Sequence, residues 1–289
     1  MARTVELRSD TFTLPSESMR AAMAAAEVGD DVWDEDPTIH RLQQRAAEMV
    51  GKEASLFVPS GTMGNLCALL SHTHAGEEVI LEGDSHIFHS EVAGASVVGG
   101  LQLRPLETED GRLQPEQVRR AIREPDIHQP RTGLLCLENT HNRKGGTCLS
   151  PAQTAALSAV AHEAGFPVHL DGARVFNAAV AQRIDARELT APVDSVMFCL
   201  SKGLSAPVGS MLAGSSDFIE RARRMRKMLG ELLPAYRARG RMELTLAFGC
   251  NGGRQRSVAL AVELARRLGV RGNLDVCVEL RDLEQRETP

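Results

Sequence analysis

A lysine that leaves an apolar run has the clearest chemical potential in this sequence. Lys202 follows a predicted strand and lies among small residues in the segment CLSKGLSAPVGS. Small neighbours let another molecule approach the backbone, and a lysine amine in such a place can form an imine with an aldehyde. A solvated surface lysine is the alternative role, so the assignment depends on the residues around Lys202.

A carboxylate occupies the corresponding position after a second apolar run. Asp171 ends the letters PVHLD and is followed by Gly172 and Ala173. Pyridoxal phosphate needs a lysine for its aldehyde and an acid for its pyridine nitrogen, because the protonated ring accepts the electrons of a carbanion. Asp171 and Lys202 supply that pair. A helix cap is the alternative role for Asp171.

A third segment, FVPSGTMGN, predicts the end of a strand and the start of a helix at Ser60-Gly61-Thr62. The N–H groups and the positive dipole end of a helix start can bind phosphate. A plain turn with an N-cap explains the same letters. The chain contains neither GxGxxG nor GxxxxGK[ST], so the sequence gives no support to dinucleotide or nucleoside triphosphate binding.

Histidine and arginine side chains could complete such a site. His86 follows another predicted strand, where its imidazole could stack on a pyridine ring and transfer protons near neutral pH. His128 lies in a loop before a further strand. Arg174 follows Asp171 by three residues and could hold a substrate carboxylate through two hydrogen bonds. Ordinary polar contacts for the histidines and a surface ion pair for Arg174 are the alternatives.

The elements that must position these residues alternate between strand and helix patterns. The predicted strands cover 54–59, 78–81, 101–105, 133–138, 167–170 and 195–200, and the predicted helices cover 62–72, 115–123, 151–164 and 218–228. Alternation of this kind predicts a doubly wound, mostly parallel α/β sheet. Ligands bind outside the carboxyl ends of the strands in such a sheet, which is where Asp171 and Lys202 are expected to lie.

Composition favours a small-molecule partner. The 289 residues include 33 basic and 38 acidic side chains, a balance that argues against nucleic acid or membrane as the main partner. Arg226 belongs to a basic cluster, RARRMRK, for which phosphate contact and a solvated helix face are both possible. Six scattered cysteines predict reduced thiols rather than a zinc site or disulfides. No apolar run reaches the roughly 18 residues of a membrane span, and we expect a cytoplasmic protein.

Six ordered segments resemble those of the low-specificity threonine aldolases. They are LRSDTFTLPS, GDDVWDEDPT, PSGTMGN, ENTHNRKGG, HLDGARVFNA and CLSKGLSAPVGS, and their order and spacing agree from about residue 5 to residue 230. The resemblance implies a pyridoxal-phosphate enzyme of the aspartate aminotransferase fold type. It also implies a homotetramer whose active sites are shared between subunits.

The resemblance assigns five positions to the cofactor alone or first of all, and Arg174 to both cofactor and substrate. Lys202 matches the Schiff-base lysine, and Asp171 matches the partner of the pyridine nitrogen. Gly61 and Thr62 match phosphate-binding positions, and His86 matches the residue that stacks on the ring. The resemblance therefore gives the lysine, the acid and the helix start one common ligand.

Other positions are assigned to the substrate. His128, with His86, would address the substrate hydroxyl, while Ser9 and Arg174 match carboxylate-binding positions, Arg174 also lining the cofactor pocket. The implied reaction is retro-aldol cleavage of L-threonine or L-allo-threonine to glycine and acetaldehyde. A related pyridoxal-phosphate lyase or transaminase, and an inactive paralogue or isoform, are the alternatives.

Two departures from the family pattern stand out. Trp33 occupies a position where the family usually has tyrosine. After Gly230 the letters ELLPAYRARGRM replace an expected glycine-rich segment, and no second carboxylate-binding arginine is matched. We therefore predict a large cofactor domain over 1–230 with an N-terminal arm, and over 231–289 a divergent tail that is a remnant or replacement of the small C-terminal domain.

Overall fold

The computed structural model describes residues 6–238, with side chains described as far as Leu229. The strands in this part of the chain are β1 (Ala54–Val58), β2 (Glu78–Glu82), β3 (Gln102–Leu106), β4 (Thr132–Glu138), β5 (Val168–Asp171), β6 (Ser195–Cys199) and β7 (Ser210–Gly214). They form one sheet in the order β1-β7-β6-β5-β4-β2-β3. Strand β7 is antiparallel to β1 and β6, and the other pairs are parallel. The predicted mostly parallel sheet is confirmed.

The helices of the described part are α1 (Glu17–Ala24), α2 (Pro37–Met49), α3 (Gly61–His72), α4 (His86–His89), α5 (Gly94–Val97), α6 (Pro115–Ala121), α7 (Pro151–Glu163), α8 (Val175–Gln182), α9 (Ala186–Thr190) and α10 (Ser216–Ala238). None of them is long and apolar enough to cross a membrane. Helix α7 begins at a reciprocal cap, in which Ser150 Oγ accepts from Gln153 N and the Gln153 side chain accepts from Ser150 N. The cap supplies partners for two N–H groups that the helix leaves unsatisfied.

Helices cover both faces of the sheet, and the strand period decides which side chains face which helices. In β5, Val168 and Leu170 join an apolar cluster that also contains residues of α6, α7, α8 and α9. A second cluster joins the opposite face to α3 and α10. Because side chains alternate along a strand, His169 and Asp171 lie on the α3 face. Solvent and small molecules can therefore reach the polar residues of the central strands mainly at the strand ends.

Six strands match predicted apolar runs to within one residue at each end. The sequence does not predict β7, which consists of small and aliphatic residues in the letters SMLAG. The predicted domain boundary at residue 230 falls inside α10, which runs from Ser216 to Ala238. The prediction of a divergent tail concerns mainly residues 239–289, which lie outside the described part, and it stays a prediction.

Candidate active site

The carboxyl edge of the sheet brings together three side chains that the sequence analysis singled out. Asp171 is the last residue of β5, Lys202 follows β6, and His86 begins α4 after β2. The ligand atoms of His86, Glu91 and Asp171 all lie within 4.8 Å of one another. The charges of Asp171 and Lys202 both act on the pKa of His86, so the lysine is near enough to interact with the same cluster. The fold thus groups an amine, a carboxylate and an imidazole.

Asp171 is a buried acid with 2% of its surface exposed. Its Oδ1 accepts a hydrogen bond from Ala173 N at 3.1 Å, and its Oδ2 accepts one from Asn65 Nδ2 at 2.9 Å. Asp171 does not cap α8, because the N-cap of that helix is Arg174. A buried carboxylate that holds no helix end is suited to pairing with a cationic group of a ligand.

The imidazole of His86 is anchored by an acid while part of its ring stays accessible. Nδ1 of His86 lies 2.9 Å from Oε1 of Glu91, and this hydrogen bond raises the pKa of His86. Burial raises the pKa of Glu91. The backbone N of His86 donates to Oε2 of Glu138 at 2.7 Å, which fixes the start of α4. Because the His86 side chain is 30% exposed, it can contact a small molecule while Nδ1 stays held.

The loop between β6 and β7 fixes the backbone at Lys202. Thr13 Oγ1 donates to the carbonyl oxygen of Lys202 at 2.6 Å. The carbonyl oxygen of Gly209 accepts hydrogen bonds from Leu200 N at 3.0 Å and Ser201 N at 3.3 Å, which closes the base of the loop. Gly209 has a φ of +99°, a conformation that residues with a Cβ rarely adopt. The position of Lys202 therefore depends on a glycine at the far end of its loop.

Replacing Gly209 by alanine is expected to destabilise the protein by about 1–3 kcal/mol more than replacing Gly76. The two glycines have similar φ values, +99° and +92°. A Cβ at Gly209 would lie 2.3 Å from the ring of Phe57, whereas nothing lies within 4 Å of a Cβ at Gly76. Urea unfolding of both variants measures the difference. Equal losses would show that the Phe57 contact relaxes without cost.

The start of α3 lies against the strand that precedes Lys202. Ser60 caps this helix, with Oγ accepting from Met63 N at 3.2 Å, so the predicted N-cap is present. The N–H groups of Gly61 and Thr62 belong to the first turn, where the helix offers them no acceptor and where phosphate can bind. A Cβ at Gly61 would lie 3.2 Å from Cys199 Sγ, so glycine allows α3 to begin this close to the sheet. Capping and phosphate binding are compatible here.

Arg174 is tied to an acid that the sequence analysis did not single out. Its Nε and Nη2 donate to the two carboxylate oxygens of Asp10 at 2.7 and 2.8 Å, and its Nη1 donates to Asn142 Oδ1 at 3.0 Å. Ser9 precedes this acid and caps the short 3-10 helix Asp10–Phe12 by accepting from Thr11 N. The guanidinium borders a cavity of about 310 Å³, lined by Asp10, Thr140, Asn142, Gly146, Arg174 and Asn177.

The fold of a single chain does not bring His128 to this cluster. His128 is exposed in the loop before β4, where its backbone N donates to Asp126 Oδ1 at 2.8 Å. Strand β4 begins at Thr132 and ends at Glu138, and seven extended residues span about 20 Å. The loop therefore lies at the opposite edge of the sheet from the cluster. A role for His128 at the substrate hydroxyl stays a prediction that requires a second copy of the chain.

Two arginines of the basic cluster fasten α10 to the rest of the fold. Arg226 donates from Nη1 to the carbonyl oxygen of Phe57 and from Nη2 to Asp31 Oδ2, both at 3.0 Å. Arg221 Nε donates to the carbonyl oxygen of Ser71 at 3.1 Å. These contacts give the two arginines structural partners and leave fewer charges of the cluster for an external anion.

Sequence reasoning missed several buried polar residues around the site. Asn65 and His169 are both fully buried, and Glu91 and Glu138 are 5% and 8% exposed. A signal was available for two of them, because Asn65 lies within the apolar letters GTMGNLCALL and His169 within PVHLD. A buried polar side chain requires partners, so a polar residue inside an apolar run predicts a specific contact.

The buried His169 predicts a loss of stability in mild acid. Burial lowers the pKa of His169 from 6.5 to about 3. Between these values the unfolded chain binds a proton that the folded chain does not, so the stabilisation present above pH 6.5 is lost as the pH falls toward 3. At pH 5 this effect of His169 lowers the free energy of unfolding by about 2 kcal/mol.

Urea unfolding of wild type and His169→Gln at pH 7.5 and pH 5 measures this effect. The difference in unfolding free energy between the two proteins should fall by about 2 kcal/mol on acidification. His74→Gln is the matched control, because it makes the same substitution at an exposed histidine. A pH-independent difference for His169→Gln would show that His169 binds its proton equally well in the folded and unfolded chain, which would contradict the prediction.

The chain is similar to known proteins over most of its described length. The β-eliminating lyase family model matches residues 6–245. A probable low-specificity L-threonine aldolase of Arabidopsis thaliana is 50% identical over 232 residues, which is 79% of this chain and 65% of the relative. The low specificity L-threonine aldolase of Escherichia coli K12 is 48% identical over 227 residues, covering 78% of this chain and 67% of the relative. The chain thus spans about two thirds of the length of these relatives.

Solved structures share the fold. A Leishmania major threonine aldolase matches with a TM-score of 0.67 at 21% identity, over 77% of this chain and 66% of that one. A Listeria monocytogenes protein described as a putative L-allo-threonine aldolase matches with a TM-score of 0.62 at 23% identity, over 76% of this chain and 61% of that one. The fold expected from the resemblance is confirmed, and so is the resemblance to the low-specificity threonine aldolases.

Proposed function

Because the chain belongs to the β-eliminating lyase family, we propose that it is a pyridoxal-phosphate enzyme that cleaves L-threonine and L-allo-threonine to glycine and acetaldehyde. One observation carries the proposal: a buried carboxylate, Asp171, and an amine, Lys202, lie at the carboxyl ends of adjacent parallel strands. The similarity to threonine aldolases supports retro-aldol cleavage over other reactions of the same cofactor.

The side chains of the site match the functional groups of the cofactor. Lys202 would hold its aldehyde, Asp171 its pyridine nitrogen, and the first turn of α3 at Gly61 and Thr62 its phosphate. His86 would lie against the ring. When bound, pyridoxal phosphate supplies an electron sink for the carbanion that remains when the Cα–Cβ bond breaks. A buried acid, an amine beside it and a helix start form a donor set that suits this one molecule.

His86 is the residue of this chain best placed to take the hydroxyl proton of a β-hydroxy-α-amino acid. Oε1 of a Glu91 carboxylate can only accept, so it takes one hydrogen bond from Asn65 Nδ2 and one from Nδ1–H of His86. Nε2 of the neutral ring is then an acceptor. A proton leaving the substrate hydroxyl can move to this atom, and Glu91 stabilises the charge that the ring gains.

Arg174 would hold the substrate carboxylate, as the sequence analysis predicts. Asp10 occupies Nε and one hydrogen of Nη2, and Asn142 accepts from one hydrogen of Nη1, which leaves one hydrogen on each of Nη1 and Nη2 for the outer edge of the guanidinium. A carboxylate can accept two hydrogen bonds from this edge beside Asn142 and close to Ser9. Asp10 keeps the guanidinium in one orientation, so substrate binding requires little further ordering of this side chain.

The proposal includes a homotetramer in the cytoplasm. Exposed apolar side chains in the N-terminal part of the described chain support assembly, since such surface is commonly covered by a partner: Leu7, Leu14, Val28, Val32 and Trp33. The described cysteines, Cys67, Cys136, Cys148 and Cys199, are all free thiols, which agrees with a reducing compartment. A tetramer would also allow the exposed His128 of one subunit to reach the active site of a neighbouring subunit.

An absorbance titration followed by product assays tests the proposed function. The purified chain is titrated with pyridoxal phosphate, L-allo-threonine is added, and acetaldehyde and glycine are measured. We expect a visible absorbance band from the lysine-bound cofactor and equal amounts of both products. A band with transfer of the amino group would favour a transaminase, and a band without products would favour an inactive paralogue. Absence of a band would overturn the proposal.

A further inference from the structure

A chain of buried hydrogen bonds leads away from Asp171 across the α3 face of the sheet. Nδ2 of Asn65 donates to Asp171 Oδ2 at 2.9 Å and to Glu91 Oε1 at 2.7 Å. The other end of the Asn65 amide, Oδ1, lies 3.1 Å from Nε2 of His169. One amide thus joins two acids of the site to a histidine two residues before Asp171 in β5.

The chain continues beyond the histidine to the end of α3. Nδ1 of His169 lies 2.8 Å from Oγ of Ser195, its partner in the register of β5 and β6. The same oxygen lies 2.7 Å from Nε2 of His72, whose ring stacks on Phe218 at 4.3 Å between ring centres. Residues of two strands and two helices therefore hold this chain of hydrogen bonds in place.

The direction of every bond follows from the acid at its end. A carboxylate oxygen accepts and cannot donate, so Asn65 presents its NH₂ group to Asp171 and its oxygen to His169. His169 must then donate from Nε2, which leaves its Nδ1 to accept from the Ser195 hydroxyl. The Ser195 oxygen accepts from Nε2–H of His72. All the donors point toward Asp171.

The two histidines stay neutral, so this direction is stable near neutral pH. Burial lowers the pKa of His169 to about 3 and that of His72 to about 4. A neutral imidazole has one donor and one acceptor nitrogen, and in both rings the hydrogen-bond chain makes Nε2 the donor. An inverted Asn65 amide would set its oxygen against two acids and would require His169 to change tautomer, so that Nε2 accepts and Nδ1 donates.

We propose that Asn65 is a positioning residue that holds the Asp171 carboxylate aligned for the pyridine nitrogen, and that His169 stabilises the orientation of the Asn65 amide by donating to its oxygen. The proposal rests on the pyridoxal-phosphate function above. The carboxyl groups of Asp171 and Glu91 have oxygens within 4.8 Å of each other, and two like charges at such a separation repel. A donor bonded to both acids offsets this repulsion and fixes the position of each carboxyl group.

Equilibrium dialysis with two cofactors tests the role of Asn65. One is pyridoxal phosphate, and the other is its 1-deaza analogue, in which carbon replaces the pyridine nitrogen. Wild type should prefer pyridoxal phosphate, because only this molecule uses the Asp171 charge. In Asn65→Leu the dissociation constant for pyridoxal phosphate should rise about tenfold or more, while that for the analogue changes much less. The matched control is Gln43→Leu, a buried amide in α2, which should keep the wild-type preference.

The preference separates positioning from general damage to the pocket. If both dissociation constants rise equally in Asn65→Leu, the residue supports the pocket only and the inference is wrong. If wild type binds pyridoxal phosphate but shows no preference, Asp171 does not use the ring nitrogen and the inference fails while cofactor binding stands. If wild type binds neither molecule, the proposed function fails with it.

A measurement on the unaltered protein reports the protonation of the two buried rings directly. Nitrogen-15 spectra of histidine-labelled protein distinguish an imidazole protonated at Nε2 from one protonated at Nδ1 and from the cation. Signals are assigned by their loss in His169→Gln and His72→Gln. Both rings should be neutral and protonated at Nε2. A cationic His169, or one protonated at Nδ1, would overturn the proposed direction of the chain.

Discussion

Replacing Lys202 by alanine is expected to abolish the visible absorbance of the bound cofactor and to lower the cleavage rate by at least about a thousandfold. Lys202 is the amine that the β6–β7 loop places beside the buried acid of β5, and its backbone carbonyl is held by Thr13. Alanine keeps the backbone and removes the nitrogen that forms the imine. Absorbance titration with pyridoxal phosphate and an acetaldehyde assay measure the two effects.

Two comparisons make the Lys202 result specific. Lys227→Ala removes an exposed lysine of α10 and should leave both the absorbance and the rate at wild-type levels. Added methylamine should restore part of the activity of Lys202→Ala, because a free amine can enter the space that the side chain left. A wild-type spectrum in Lys202→Ala would assign the imine to another lysine, and the site described above would then be wrong.

Asp171→Asn is expected to reduce the cleavage rate by about a hundredfold or more while the cofactor remains bound through Lys202. The amide has the shape of the acid but no charge, so it cannot hold a proton on the pyridine nitrogen. Because Asp171 is 2% exposed, water cannot take over this role. Steady-state kinetics at saturating cofactor should show the loss in kcat rather than in KM.

Glu138→Gln provides the matched comparison for Asp171. Glu138 is also a buried acid at the carboxyl edge, but its two oxygens accept from the backbone N–H groups of His86 and Asn142. An amide oxygen can keep one of these bonds, so a smaller loss of rate is expected. Equal losses in the two variants would mean that total negative charge matters and that Asp171 has no distinct partner.

The sequence by itself determined six of the seven strands in the described part and the edge at which chemistry is possible. Apolar runs with polar residues at their ends predict strands, and in a mostly parallel sheet these ends lie on one edge. For this reason the order of the residues alone is enough to place Asp171, Lys202 and His86 together. The start of α3 was predictable for a similar reason, since the Ser60 cap depends on neighbouring residues alone.

Only the tertiary structure decided which side chains contact one another. Asn65 is 106 positions from Asp171, and Asp10 is 164 positions from Arg174, so neither contact has a local signal. Each depends on how a helix or an N-terminal segment packs on the sheet, which is set by many apolar contacts at once. His128 shows the reverse case, because its letters match a site residue while the strand after it keeps it at the far edge. Short-range periodicity fixes where strands end, but long-range packing fixes the partners of each polar atom.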